Sequence, residues 1–197
     1  VRDIILGIAL LVAAVASAAG QDAPLQAPKS PPLKKRATGT PCVLDFERGK
    51  VPDCVHASRT GMHFITPRYL AELSYDSYGL AAVHSQGEGW MYVNRKGKVL
   101  IVGIPVFDNW ADSFNDGLVR FVRNKKYGFA NRRGLVVIPP VYDGAMQFDN
   151  GRAEVCKGCV VKCSEPECEH HFFAGGAWFS INTRGEAVPF NTPEYAR

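Results

Sequence analysis

"YGFANRRGLVVIPPVYDGAMQFDNGRAEV", Tyr127 to Val155, decides the fold. Apolar residues in "YGFAN" fall largely two apart, which is the period of a strand. The turn that follows, Asn-x-Arg-Gly ending at Gly134, is a hairpin signal, because glycine accepts the positive φ that other residues resist. "LVVIPP" is then a β-branched run ended by proline. The stretch reads as a small antiparallel meander.

Its skeleton recurs on both sides. "PRYLAELSYDSYGLAAV", "PVFDNWADSFNDGLVRF" and "PVYDGAMQFDNGRAEV" each open Pro-x-aromatic, at Pro67, Pro105 and Pro140, and reach Gly79, Gly117 and Gly151 eleven or twelve residues later. Each leads into "WMYVNRKG", "YGFANRRG" or "WFSINTRG", where Trp90, Tyr127 or Trp178 precedes Gly97, Gly134 or Gly185 by seven residues. Asn94, Asn131 and Asn182 hold one offset before those glycines, and the first two glycines are 37 residues apart. A fixed period of that size marks a repeat architecture, in which units too small to bury an apolar face alone must stack. No segment has helical periodicity beyond one short turn in "YLAELSYDSY".

These residues resemble the WG-repeat (KWG-type) bacterial proteins, whose unit runs Trp-Gly-Tyr-Ile-Asp/Asn-x-x-Gly, then Ile-x-Pro-x-Tyr-Asp, then Phe-x-x-Gly-Leu-Ala-x-Val. The likeness covers about Ile65 to Pro189. Met91 and Phe179 replace the Gly after Trp, Tyr127 replaces the Trp, and Asp76 stands where the other units have Phe114 and Phe148. The resemblance implies an all-β fold of tandem antiparallel meanders stacked into an array, serving as a binding or interaction scaffold without catalytic chemistry.

Outside the repeats the chain divides further. "IILGIALLVAAVASAA", Ile4 to Ala19, is uncharged and apolar and ends in a small-residue cleavage pattern, so residues 1–18 read as a secretory signal. The run is short of the roughly 20 residues that span a bilayer, which disfavours an uncleaved anchor. Residues 19–41 are rich in Pro, Ala and Lys and read as a flexible tether. Residues 42–66 read as a degenerate half-repeat that caps three units over 67–197, the third interrupted by an insert at 156–174.

The net charge of +4 lies mostly in the tether, which holds four basic residues against one acid, whereas Cys42 to Arg197 holds eighteen against seventeen. Nucleic-acid binding by the folded part is therefore not expected, since affinity for a phosphate backbone needs a concentrated basic excess.

The insert opens "CKGCVVKCSEPECEHH". Cys156, Cys159, Cys163 and Cys168 with His170 and His171 have spacings that tetrahedral zinc accepts. In an exported chain, however, cysteines pair, and the even count of six suits three bridges. Cys42 and Cys54 suit a local disulfide clasping the cap, and the other four could close two bridges in the insert, although fifteen pairings are open. A redox pair at "CKGC" is disfavoured because Cys156 follows a strand rather than opening a helix.

No catalytic elbow, zinc-protease helix, phosphate loop or dinucleotide fingerprint is present. Asp108, Asp112 and Asp116 read as turn chemistry of the repeat rather than as a site. Trp110, whose counterpart is Ala145, is a candidate ligand contact, as are Arg132 and Arg133 in the turn cluster.

The sequence thus predicts a periplasmic or secreted, non-enzymatic β-repeat protein with no cofactor. It would bind another protein or a cell-envelope polymer through repeat loops and the Cys-rich insert. The alternative is a metal-binding or metal-sensing envelope protein that holds zinc at Cys156 to His171.

Overall fold

The structure, a computed structural model, describes residues 39–44, 49–107, 109–165 and 171–189. The expected signal and nearly all of the tether lie outside these residues. Among the described residues no helix is long and apolar enough to cross a membrane.

Three strands come first: β1 (Thr40–Val43), β2 (Lys50–Ala57) and β3 (His63–Ile65). A short 3-10 turn at Pro67–Glu72 follows, opened by a proline that needs no donor there. The first unit is β4 (Leu80–Ser85), β5 (Gly89–Asn94) and β6 (Val99–Ile104). A small hairpin, β7 (Val106–Phe107) and β8 (Trp110–Ala111), leads to the second unit, β9 (Leu118–Arg123), β10 (Lys126–Asn131) and β11 (Val136–Tyr142). The short β12 (Gly144–Ala145) precedes β13 (Arg152–Lys157), then β14 (Val160–Cys163), β15 (His171–Ala174), β16 (Ala177–Asn182) and β17 (Ala187–Val188). The all-β class and the antiparallel meanders read from the sequence are what the chain forms.

Strand alternation explains how the layers stack. In β5, Met91 and Val93 point to one side and join Val55, Ile65, Tyr69 and Val83 in a first core. Trp90 and Tyr92 point to the other and meet Val119, Phe121 and Ala130 of the second unit. In β10 the neighbours of Ala130 do the same one layer on: Phe129 packs with Ile138, Tyr142, Ala153, Val155 and Ile181. The first two units therefore bury both faces, and each core belongs to two successive layers. Burial on both sides is why these strands carry nearly continuous apolar runs rather than a clean alternation with polar residues.

The opposite face of the third unit breaks that rule. Its cross-strand pairs are Glu154 with Ser180, Arg152 with Asn182 and Cys156 with Trp178. Two of these three pairs are polar, and the third, Cys156 with Trp178, lies at the insert end, where the Phe173 ring comes 6.2 Å from Trp178.

At the other end, β1 pairs with β4, so the first three strands and the first unit form one six-stranded sheet ordered β3-β2-β1-β4-β5-β6. Its two edges meet at a bridge between Phe64 and Lys98, and the Ile65 N–H donates to Gly97 O at 2.8 Å. The sheet thus curls almost closed around the first core. Cys42 and Cys54, both buried, are joined by a disulfide across β1 and β2.

One asparagine arrangement builds all three unit turns. The Oδ1 atom of Asn131 accepts from the Arg133 and Leu135 N–H groups at 3.0 and 3.1 Å. Asn94 and Asn182 repeat this with their own successors. The side chain mimics a backbone turn, and Gly134 at φ +79° closes it. Gly134 has a second constraint: a Cβ there would stand 2.6 Å from Leu100 O of the previous unit.

Candidate interaction surface

The insert is a hairpin. β14 and β15 pair in register from Val160 with Ala174 to Cys163 with His171. At its base Cys156, inside β13, is bonded to Cys159, and both are buried. Asp143 holds the same corner: its carboxylate accepts from the Gly158 N–H at 2.8 Å and from the Lys126 ammonium. The Lys126 hydrogen bond first, and the Gly158 N–H second, hold this carboxyl below the usual carboxylate range. Cys163 is also disulfide-bonded, while Cys168 and His170 lie outside the described residues.

One side of the hairpin faces the body. The Phe173 ring lies 5.4 Å from Tyr127 and 6.2 Å from Trp178, and a Cβ at Gly144 would stand 2.6 Å from it. The other side carries Val160 and Phe172, 56% and 50% exposed. The insert is thus anchored by one aromatic ring and presents apolar groups outward. Val160-Val161 and Phe172-Phe173, of which Val161 and Phe173 are cross-strand partners, were the readable signal, overshadowed by the cysteines.

With Cys156 and Cys159 joined to each other and Cys163 bonded as well, no thiolate at these positions is offered to a metal. Among the described residues no group of three His, Cys, Asp or Glu side chains gathers as a ligand set. His171 is exposed on β15, opposite Cys163.

Trp110 is part of β8, half-buried, with its ring 4.4 Å from Trp90. The arrangement accounts for its mismatch with Ala145. Each opening aromatic needs a ring over it: Trp90 receives Trp110 from the following linker, whereas Tyr127 receives Phe173 from the insert, and small residues at Gly144 and Ala145 accompany that change.

Arg132 lies with its guanidinium carbon 3.9 Å from the Tyr78 ring centroid and 4.9 Å from that of Phe114. It is held between aromatic faces, a favourable setting for a planar cation. Arg95 makes the matching contact with Tyr75 at 4.7 Å. Arg133, by contrast, is exposed. The structure therefore separates two neighbours that the sequence grouped together.

Asp112 was read as turn chemistry, and the structure places it elsewhere. It is fully buried, and both carboxylate oxygens accept from Arg120, at 2.8 and 3.1 Å. Gln147 donates to it as well, and Arg120 Nη1 donates to Ala145 O at 2.7 Å. Tyr92 Oη donates to the Asp112 carbonyl at 2.8 Å. The network links the first unit, both linkers and the second unit. Burial, then the nearby Asp112 and Asp76 charges, pushes the Tyr92 phenol up to about 12. Asp116 is a turn residue, at φ +50° ahead of Gly117, and its carboxylate also accepts from the Gly151 N–H of the next turn. Asp108 lies outside the described residues.

A family model described as the WG containing repeat matches residues 90–127 and 127–158. Residues 90–158 thus carry two adjacent WG repeats. The matched units start at Trp90 and at Tyr127, inside the middle strand of each meander, so one sequence repeat straddles two structural layers. The third opening block, at Trp178, lies beyond the matched span and follows the insert. No curated protein and no solved structure matches the chain.

Proposed function

We propose that this chain is an exported, non-catalytic scaffold that engages a partner protein or an envelope polymer through its repeat loops and the hairpin insert. The observation that carries the reading is the outward side of β14 and β15, where Val160 and Phe172 stand in solvent on a strap tied down by the Cys156–Cys159 bond and by Phe173. Apolar groups held rigidly in solvent are what interaction sites present. The disulfides suit an oxidising compartment, and the apolar run at Ile4 to Ala19 suits export into one. The exposed Arg133 extends the same reading to a repeat loop.

The test is a photo-crosslinking amino acid placed at Phe172 in the chain expressed with its own leader, with Lys96 as an exposed control position. The reading expects a discrete adduct from Phe172 only, unaffected by EDTA and lost when Val160 is changed to Asp. Identical adducts from both positions would sink it, as would a chain that stays in the cytoplasm with its thiols reduced.

A further inference from the structure

Tyr78 is 66% exposed, yet its ring is not loose. The Arg132 guanidinium lies against it, and the Phe114 ring backs the guanidinium in turn. Arg132 Nε is buried there without a hydrogen-bond partner, so that part of the cation is held by the rings alone. A tyrosine fixed in this way offers a large, rigid surface with one polar tip.

Beside it lies an open groove of about 430 Å³ between two turns, residues 77–79 and 94–96. Arg132 is not part of the lining, so the groove meets a side of Tyr78 that the guanidinium leaves uncovered. Arg95 and Lys96 supply the groove's cations, and no acidic residue lines it. The Arg95 side chain is laid across Gly79, where a Cβ would stand 3.1 Å from Nε, and its guanidinium rests on Tyr75. Asp76 is close in sequence, but its Oδ1 already accepts from the Tyr78 and Leu80 N–H groups at 2.9 and 2.8 Å.

The third unit shows what these turns lack. Arg184, at the turn position of Lys96 and Arg133, pairs with Glu186 at 2.7 Å. Lys98 and Leu135 stand where Glu186 stands, one residue after the turn glycine. Among the described residues Arg95, Lys96 and Arg132 accordingly have no ion pair. Uncompensated cations thus surround one exposed aromatic platform.

We infer that the groove binds an acidic polysaccharide: one pyranose ring packs its C–H face on Tyr78, and a carboxylate of that or the next sugar is held by Arg95, with Lys96 at the rim. A rigid aromatic face suits the apolar side of a sugar ring, a guanidinium can take a carboxylate through two parallel hydrogen bonds, and an open groove lets a polymer run through. The near-neutral charge of the folded part disfavours a nucleic acid. This deepens the repeat-loop part of the scaffold reading and rests on it for export. The two can fail separately, because a polymer captured at Lys96 gives polydisperse products, not the discrete adduct expected at Phe172.

The probe is a hexamer of galacturonic acid, titrated into the full disulfide-bonded chain in about 0.15 M salt, with amide shifts read by NMR. The controls are the methyl-esterified hexamer, hexaglutamate and hexathymidylate. The expected result is saturation below about 1 mM, shifts centred on residues 77–79 and 94–96, and about tenfold weaker binding of each control. Tyr78→Ala and Arg95→Ala should each lose about tenfold, whereas Tyr78→Phe, which keeps the ring over Arg132, should stay within about twofold of wild type. Equal binding of hexaglutamate would reduce the site to charge alone, and equal binding of hexathymidylate would make a nucleic acid the ligand; either overturns the assignment. So would no saturation at millimolar sugar, or a Tyr78→Ala variant that binds as wild type.

Discussion

Arg120 holds Asp112 through a paired contact, Nε to Oδ2 at 2.8 Å and Nη2 to Oδ1 at 3.1 Å, with the carboxylate fully buried. Taking two charges out of water is costly, and the geometry that offsets it lies between units. Removing one partner strands the other. Asp112→Ala is expected to cost about 3–5 kcal/mol in urea unfolding, whereas the double variant Asp112→Leu, Arg120→Met should cost clearly less than the sum of the singles. Additive losses would show that the two residues do not act as a pair.

The asparagine turns differ in what each residue contributes. Asn131→Ala removes two hydrogen bonds from exposed amides and is expected to cost about 1 kcal/mol. Gly134→Ala should cost more, because a side chain there meets both a positive φ and the Leu100 carbonyl. Thermal unfolding of the two variants in parallel measures the order. A smaller loss for the glycine change would show that the contact with the previous unit relaxes freely.

The ring of Phe173 ties the insert to the second unit through Tyr127. Phe173→Ala should release the hairpin, costing about 2 kcal/mol, somewhat less than for a fully buried ring. Limited proteolysis should then cut between β14 and β15 or at their base while the repeats persist. Unchanged proteolysis would leave the disulfide as the sole anchor.

Tyr92 makes stability depend on alkaline pH. Its phenol is pushed up to about 12 in the fold against 10 in an unfolded chain, so the unfolded state loses its proton first. The contribution is complete below pH 10 and disappears as the pH rises from 10 to about 12. Tyr92→Phe should flatten the stability profile in that window and remove the slowest-ionising tyrosine from an ultraviolet titration. An unchanged titration would place that phenol elsewhere.

Cysteine chemistry follows burial. Cys42, Cys54 and Cys156 are at most 1% exposed, and Cys159 is 6% exposed. Without reductant none of the four should take up iodoacetamide. Replacing Cys42 and Cys54 together by serine should cost about 2–4 kcal/mol, since their bond closes a loop in the layer that begins the stack. Ready alkylation of the native chain would contradict both bonds.

What the sequence determined by itself is the part governed by near neighbours. Short aromatic and β-branched apolar runs make strands and Asn followed three residues later by Gly makes turns, because both depend on backbone geometry within a few residues, and their recurrence at constant offsets marks units that must stack. The tertiary structure alone decided the destinations of Asp112 and Phe173. Asp112 belongs to a spaced run of acids that reads as solvated turns, yet it is buried because Arg120 and Gln147 arrive from other elements. Phe173 lies in a segment dominated by cysteines and acids, yet it covers Tyr127 because the hairpin folds back onto the second unit.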